Sequence, residues 1–393
     1  MAKKAQKANV KNAGIGSYYN LSLQNSALFG KIVSMLLTHF RSLRPSHQAT
    51  QAEALEWFAS AYAMAGFEIR EEILRVGCKP PAIEKRGSVI PDYLHQNWDK
   101  MEIYRLKESK SGLGLKERME RFGREADLAF ETLYQDETVA PDDLIHVTCT
   151  GYVAPSAAQA WVSKKRWQTT VTHAYHMGCY GAFPAIRMGR AFLAAEPHKK
   201  RVDVVHTEIC SLHSNPSNQR LDQIICQTLF ADGFIRYEIV RDCKEPHLEL
   251  QSIQEELIPN SLDSMHWNLT SHNFEMKLAK EIPVQIARAL PAFLNRLGVQ
   301  DQLQEAFFAV HPGGPRILQQ IQDRLGLKDI QMQPSVTILR EHGNMSSATV
   351  PHIWQHILEN PQIPDGALIV SLAFGPGLTI CGSTLVKRCG GRR

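Results

Sequence analysis

Twice along this chain, short apolar runs alternate with amphipathic helical segments, and that rhythm restricts the fold more than any other feature. In the first stretch, Leu144 to Cys149 and Arg201 to His206 read as buried strands, with a helix from about Tyr180 to Ala195 between them. In the second, the pattern predicts a helix over Lys280 to Leu297, a strand over Ala306 to Val310 and a helix over Arg316 to Leu325. A strand over Val336 to Leu339 and a helix over Ala348 to Leu358 follow. Ala367 to Phe374 and Leu378 to Cys381 read as a hairpin around Gly375-Pro376-Gly377. Ahead of both stretches, Ala49 to Ala65 is helical, with Leu55, Phe58 and Tyr62 on one face and Gly66 as its stop. A further amphipathic helix carries Met119, Phe122, Ala126, Phe130 and Leu133. Strands and helices alternating in two halves imply an α/β fold, not a bundle or a sandwich.

The expected organisation is a loosely ordered basic segment over 1–20, one half over 21–240, a second over 241–388 and a frayed tail over 389–393. With 393 residues, 44% of them hydrophobic, the chain has ample material for a core. A net charge of +4 permits an acidic partner but requires neither nucleic acid nor an anionic membrane. The short basic runs Lys164-Lys165-Arg166 and His198-Lys199-Lys200-Arg201 read as solvated ends of elements. Eight cysteines (Cys78, Cys149, Cys179, Cys210, Cys226, Cys243, Cys381 and Cys389) are scattered without a paired motif, which fits a reducing cytoplasm. No apolar stretch of signal type directly follows Lys3, Lys4, Lys7 and Lys11. Leu28 to Phe40 is interrupted by Lys31 and falls short of the roughly 20 residues that a span needs. The expectation is a cytoplasmic protein with no membrane span.

Three separated segments carry the chemistry: His176-Met177-Gly178-Cys179-Tyr180-Gly181-Ala182, Val310-His311-Pro312-Gly313-Gly314-Pro315 and Glu341-His342-Gly343-Asn344-Met345-Ser346-Ser347. They supply a thiol, an imidazole and a carboxamide, each at the end of a strand or the start of a helix. Such a set can form a thiolate nucleophile and two donors for a developing oxyanion. Cys179 precedes a helix whose first turn holds Pro184, and helix amides favour a thiolate. Taken alone, Cys179 is equally a small core residue, and Asn344 equally a helix N-cap. Spacings of three among His173, His176 and Cys179 also admit a metal reading, but no partner cluster completes a tetrahedral set, so no metal is expected.

With these segments in view, the sequence resembles the chalcone-synthase-like, or type III, polyketide synthases of the thiolase superfamily. The likeness runs from about Ala49 to Lys387 and is strongest after Cys149. It rests on Cys149-Thr150-Gly151-Tyr152, Gly178-Cys179-Tyr180-Gly181, Leu229-Phe230-Ala231-Asp232-Gly233, His311-Pro312-Gly313-Gly314-Pro315, Gly343-Asn344-Met345-Ser346-Ser347 and Phe374-Gly375-Pro376-Gly377. The resemblance implies a thiolase-like fold of two similar αβαβα halves, assembled as a homodimer. It implies that Cys179 carries the acyl group while His311 and Asn344 donate to the thioester and enolate oxygens. It further implies that His311 pairs with the Cys179 thiolate, keeping its pKa well below the roughly 8.5 of a free thiol. Phe230 and Phe274 would exclude water beside the reactive centre. Substrate contacts are expected from Cys210, Leu212, His213, Met265, Ser346, Gly375 and Pro376, and dimer or cavity contacts from Thr150 and Ala154. No cofactor is held permanently; substrates arrive as thioesters on phosphopantetheine, borne by coenzyme A or an acyl carrier protein.

The chain departs from the plant-type pattern where a cationic cluster grips coenzyme A phosphates. It offers Ile73, Val76 and Pro80 there, with Arg75 and Lys79 nearby. Bulk at Leu212, His213 and Met265 and the small Ala154 also differ from the plant enzymes. These departures resemble the stand-alone ketosynthases that join two carrier-bound β-ketoacyl chains and close an α-pyrone. An iterative enzyme using malonyl-coenzyme A is the alternative, making an alkylpyrone, resorcinol or phloroglucinol. A non-catalytic thiolase-fold scaffold is the second. A papain-like hydrolase shares the Cys, His, Asn order but lacks that family's local cysteine signature.

Overall fold

The structure, a computed structural model, describes residues 35–67 and 82–390. The basic segment 1–20, the positions 73–80 compared with the plant cation cluster, and 391–393 lie outside the described residues.

In chain order the strands are β1 (Met35–Leu43), β2 (His47–Thr50), β3 (Lys85–Ser88), β4 (Asp143–Thr148), β5 (Thr170–Tyr175), β6 (Arg201–Glu208), β7 (Gly233–Val240), β8 (His247–Leu257), β9 (Met265–Leu269), β10 (Phe274–Leu278), β11 (Phe307–Val310), β12 (Leu368–Gly375) and β13 (Thr379–Arg388). The helices are α1 (Gln51–Met64), α2 (Leu115–Leu133), α3 (Ala157–Lys165), α4 (Ala182–Ala195), α5 (Leu221–Leu229), α6 (Ile282–Leu297), α7 (Pro315–Leu325), α8 (Asp329–His342) and α9 (Thr349–Glu359).

One nine-stranded sheet runs in the order β11-β12-β13-β8-β1-β7-β6-β4-β5. Its parallel pairs are β5 with β4, β4 with β6 and β11 with β12; β4 and β11 are almost wholly buried, which is why both read as short apolar runs. At the middle β1 and β8 pair antiparallel, and the strands on either side repeat the same order and senses. The fold is α/β, of two similar halves.

Local signals place most helices. Thr50 caps α1: its hydroxyl accepts from Glu53 N while the Glu53 carboxylate accepts from Thr50 N. The inner face of α1 is Ala54, Trp57, Phe58, Ala61 and Tyr62, so Trp57 takes the place expected for Leu55, which is half-buried. α2 buries Phe122, Ala126, Phe130 and Leu133 as its spacing predicts.

One expected element is wrong. Val336 to Leu339 lies within α8, not in a strand. The β-branched cluster favours a strand locally, but Met332, Ser335 and Leu339 recur at helical spacing on a buried face, and packing overrides propensity. Ser335 explains the choice: its hydroxyl accepts from Val310 N (2.8 Å) and donates to Phe308 O (3.0 Å), sealing the free edge of β11. No helix of the described residues is long and apolar enough to cross a membrane.

Candidate active site

Cys179 sits in a 3-10 turn, Gly178–Tyr180, between β5 and α4. The turn is pressed against the β12–β13 hairpin: a Cβ on Gly178, whose φ is +76°, would fall 2.5 Å from Pro376 Cδ. Gly375 is equally constrained, since a Cβ there would meet the Tyr180 ring at 2.3 Å. Gly375 and Pro376 thus brace the nucleophile turn and line neither cavity described below, contrary to the substrate contact expected of them.

Asn344 is held by backbone. Gly343, at φ +75°, ends α8, after which Asn344 N donates to Leu229 O (2.9 Å) and Asn344 O accepts from Ala231 N (2.9 Å). This short parallel bridge fixes Phe230 beside Asn344. Asn344 Oδ1 accepts from Ser346 N at 2.9 Å. The oxygen is thus used locally, which orients the amide and leaves Nδ2 available to donate.

His311 follows the last residue of β11, and its N–H bonds Leu372 O at 2.8 Å. The ring is 1% exposed, and neither nitrogen has a partner among the described residues. Burial lowers its pKa to about 3, so the resting ring is neutral. An imidazole with both nitrogens buried and unused is costly unless something else supplies the bonds.

The Cys179 thiol is 5% exposed and meets the Ser346 hydroxyl at 3.8 Å. Burial pushes it up to about 12, with the Ser346 contact opposing and Glu208 adding to the rise. The expected Cys179–His311 ion pair, with a depressed thiol pKa, is absent: the thiol faces Ser346, and burial of both groups favours the neutral pair.

Glu208, which sequence reasoning missed, ties the site together. Its buried carboxylate accepts from Cys149 N (3.0 Å), Thr150 Oγ1 (2.7 Å) and the Ser347 hydroxyl, so the ends of β4 and β6 and the turn after Asn344 share one anchor. Burial raises its pKa, opposed by these donors. No sequence signal singled it out, since β6 also carries Arg201, Asp203 and His206.

Two cavities meet at the site. A wide one, about 730 Å³, has Cys179, His311 and Asn344 among its walls, with Phe230, Met265, Leu229, Ile282, Ile286 and Phe374. A narrow one, about 50 Å³, is lined by Thr150, Cys210, His213, Phe274 and Ser346 together with Ser211, Gln223 and Gln227. His213 is fully bonded: Nε2 donates to Thr150 O (2.7 Å) and Nδ1 accepts from Phe274 N (3.0 Å). It stacks on Phe274 with centroids 4.6 Å apart and fixes that ring. Leu212 does not line either cavity; it lies in the core with Tyr93, Tyr104 and Phe122, because the turn after β6 points it away. Ala154 is exposed on the surface.

The metal alternative has no support among the described residues, where no three His, Cys, Asp or Glu side chains converge. His173 bonds Ser156 Oγ and His176 packs on Phe274, so they diverge.

Residues 249–389 match the family of chalcone and stilbene synthases, C-terminal domain. Over 220 residues, 53% of the chain, it is 31% identical to the probable polyketide synthase 1 of Dictyostelium discoideum, covering 7% of that protein. Over 243 residues, 61% of the chain, it is 29% identical to the 1,3,6,8-tetrahydroxynaphthalene synthase of Streptomyces coelicolor, covering 64% of it. The chain thus spans less than two thirds of either curated relative. Among solved structures, PKS-I of the brown alga Ectocarpus siliculosus superposes with a TM-score of 0.79 at 21% identity, over 91% of this chain and 100% of that one. The C-terminal type III polyketide synthase domain of Steely1, a type I/III hybrid from Dictyostelium, gives 0.79 at 22% identity, over 90% and 99%. The Streptomyces coelicolor tetrahydroxynaphthalene synthase gives 0.77 at 23% identity, over 90% and 99%.

The chain therefore has the thiolase-like fold of the type III polyketide synthases.

Proposed function

We propose that this protein is an acyltransferase of the ketosynthase kind. It would load an acyl group from a phosphopantetheine thioester onto Cys179, join it to a second thioester by Claisen condensation, and release the product by cyclisation. The observation that carries this reading is the convergence of Cys179, the unpartnered His311 ring and Asn344 on one apolar cavity.

In this reading the neutral His311 ring takes the Cys179 proton as sulfur attacks the acyl carbonyl, and the departing carrier thiolate collects a proton. The second thioester then supplies a carbanion, held as its enolate, either by losing CO2 from a malonyl unit or by passing the α-proton of a β-ketoacyl chain to the again neutral His311 ring. His311 and Asn344 Nδ2 donate to that oxygen, where donors act strongly because water is excluded. The carbanion attacks the acyl–Cys179 carbonyl, a carbon–carbon bond forms, and the Cys179 thiolate leaves. Phe230, fixed beside Asn344, and Phe274, fixed by His213, keep water from hydrolysing the acyl enzyme.

The finer reading is an α-pyrone product from carrier-protein-bound chains, made by a cytoplasmic homodimer. It is supported by the apolar residues at the aligned phosphate-gripping positions and by the small narrow cavity, which suits few extensions. Repeated extension from malonyl-coenzyme A is the second reading.

Intact-protein mass after exposure to acyl-coenzyme A and acylated carrier protein tests both levels. A Cys179 adduct lost in Cys179→Ala is expected, with faster loading from the carrier protein. Equal adduct in the Cys179→Ala variant would overturn the acyltransferase assignment. Clear preference for coenzyme A would remove the carrier-protein reading alone.

A further inference from the structure

The wide cavity is not apolar throughout. Its interior is aliphatic, with Leu229 and Ile286, but Arg220, Asp222, Lys280 and Arg316 also line it. All three cations are exposed, so they mark its mouth, whereas Cys179 and His311 are buried and mark its floor. One segment runs between the two levels. His311 is at the bottom, Gly313, Gly314 and Pro315 follow along the wall, and Arg316 emerges five residues on. The cations differ in what they have left to give. Arg220 is forked onto Asp222: Nη2 donates to Oδ2 at 2.6 Å and Nε to Oδ1 at 3.2 Å, with Glu275 at 3.6 Å. Asp222 is itself pinned by the Leu278 N–H at 3.3 Å. Lys280 has Glu281 at 3.9 Å, and its side chain is 92% exposed. Arg316 makes no ion pair or side-chain hydrogen bond among the described residues.

We propose that Arg316 grips the phosphate of the phosphopantetheine arm while the thioester at the far end of that arm reaches Cys179. This rests on the acyltransferase reading above and names the contact that holds the carried substrate. Coenzyme A and a carrier protein both present the arm through a phosphate, so one contact serves either donor. A guanidinium always carries its charge, and its planar fork matches two phosphate oxygens at once, which the point charge of Lys280 does not. Arg220 has already committed its fork to Asp222, and Arg316 has not. The wall between mouth and floor is uncharged, as is the arm between its phosphate and its sulfur. At an exposed rim the attraction is screened by salt, so the contact is strongest at low ionic strength.

The full chain is given decanoyl thioesters of pantetheine, phosphopantetheine, coenzyme A and acyl carrier protein, each below saturation and at low salt. The rate of Cys179 acylation is read by intact mass. Wild type is expected to load from phosphopantetheine about tenfold faster than from pantetheine, the lower end for hydrogen bonds to a charged group. Arg316→Gln should bring that ratio near one, and Arg316→Lys should leave it between the two. Added salt should shrink the wild-type ratio in the same direction. In the other arms, a fall with coenzyme A alone assigns the grip to its phosphates, and a fall with the carrier protein as well extends it to that donor. A wild-type ratio near one, or a ratio unchanged in folded Arg316→Gln, overturns the role of Arg316. A larger fall in Lys280→Gln than in Arg316→Gln does so too. A wild-type chain that takes no acyl group on Cys179 from any donor overturns the acyltransferase reading itself, and this inference with it.

Discussion

The two halves of the sheet share a framework and differ in what they carry. In the first, β4, β6, β7 and β1 lie side by side, joined in parallel, antiparallel and antiparallel senses. In the second, β11, β12, β13 and β8 repeat that order and those senses. Counterpart positions diverge in chemistry. The residue after β4 is Cys149, a buried thiol with no assigned task, and the residue after β11 is His311. The turn before α4 holds Cys179, and the turn before α9 follows Asn344. A repeated scaffold thus offers equivalent strand ends and helix starts, and the proposed reaction would assign the nucleophile to one half and the donors to the other.

That division of labour predicts unequal losses. Cys179→Ala should abolish both the adduct and the product, which intact mass and turnover check together. Asn344→Ala and His311→Ala should each lower the condensation rate about 10²–10³-fold, the usual loss for one oxyanion donor. Of the two, Asn344→Ala should retain Cys179 loading, because Asn344 takes no proton from the thiol. Comparable loss of loading in both variants would break the distinction between the donors.

The thiol's resting state supplies a test of next size. With Cys179 raised to about 12 and His311 lowered to about 3 by burial, the thiolate fraction climbs with pH throughout the neutral range. Alkylation of Cys179 by iodoacetamide should rise about tenfold per pH unit from pH 7 to 9. A rate that stays flat down to pH 6 would show instead that His311 holds the proton in the resting enzyme, as the family resemblance implies.

How far the sequence could be read follows from which signals are local. The α/β class, the β12–β13 hairpin and the placement of Cys179, His311 and Asn344 at element ends follow from periodicity and from glycines at tight corners. Phe230 was legible only through resemblance, because its position comes from a bridge to Asn344, 114 residues away. The strand expected at Val336 to Leu339 failed since its competitor, the edge of β11, lies elsewhere in the chain. Leu212 lies off both cavities because side-chain direction is set by tertiary packing, and Gly375 and Pro376 do because their hairpin packs on the nucleophile turn. Glu208 carries no motif at all; its importance arises from the ends of β4 and β6 and the turn after Asn344 meeting at its carboxylate.

Glu208 anchors the junction between halves, so its removal should act on both. Glu208→Ala leaves Cys149 N, the Thr150 hydroxyl and the Ser347 hydroxyl without their acceptor. At about 1–3 kcal/mol for each buried unsatisfied group, a loss of about 3 kcal/mol or more in unfolding free energy is expected. Acid should weaken the fold in a related way. His146, His213, His311 and His352 are each lowered to about 3 by burial, against an ordinary value of 6.5. The unfolded chain therefore binds more protons between those limits, and stability present above pH 6.5 is lost as pH falls towards 3. Asp203 and Asp232, raised to about 6, act in the opposite sense over part of that window and blunt the decline. Thermal melts from pH 7 to pH 4 read the net slope.

The smallest effect comes from the place where the halves differ most in structure. In the first, β5 pairs with the outer edge of β4; in the second, no strand among the described residues covers β11, and α8 does so through Ser335. Ser335→Ala removes one acceptor for Val310 N and one donor to Phe308 O. The buried amide then lacks its partner, for an expected loss of about 1–2 kcal/mol measured by denaturant unfolding. The same change should also loosen the strand whose end carries His311, so a modest fall in condensation rate with unchanged Cys179 loading should accompany it. Unfolding free energy equal to wild type would mean that α8 packing alone protects this edge and the hydroxyl is dispensable.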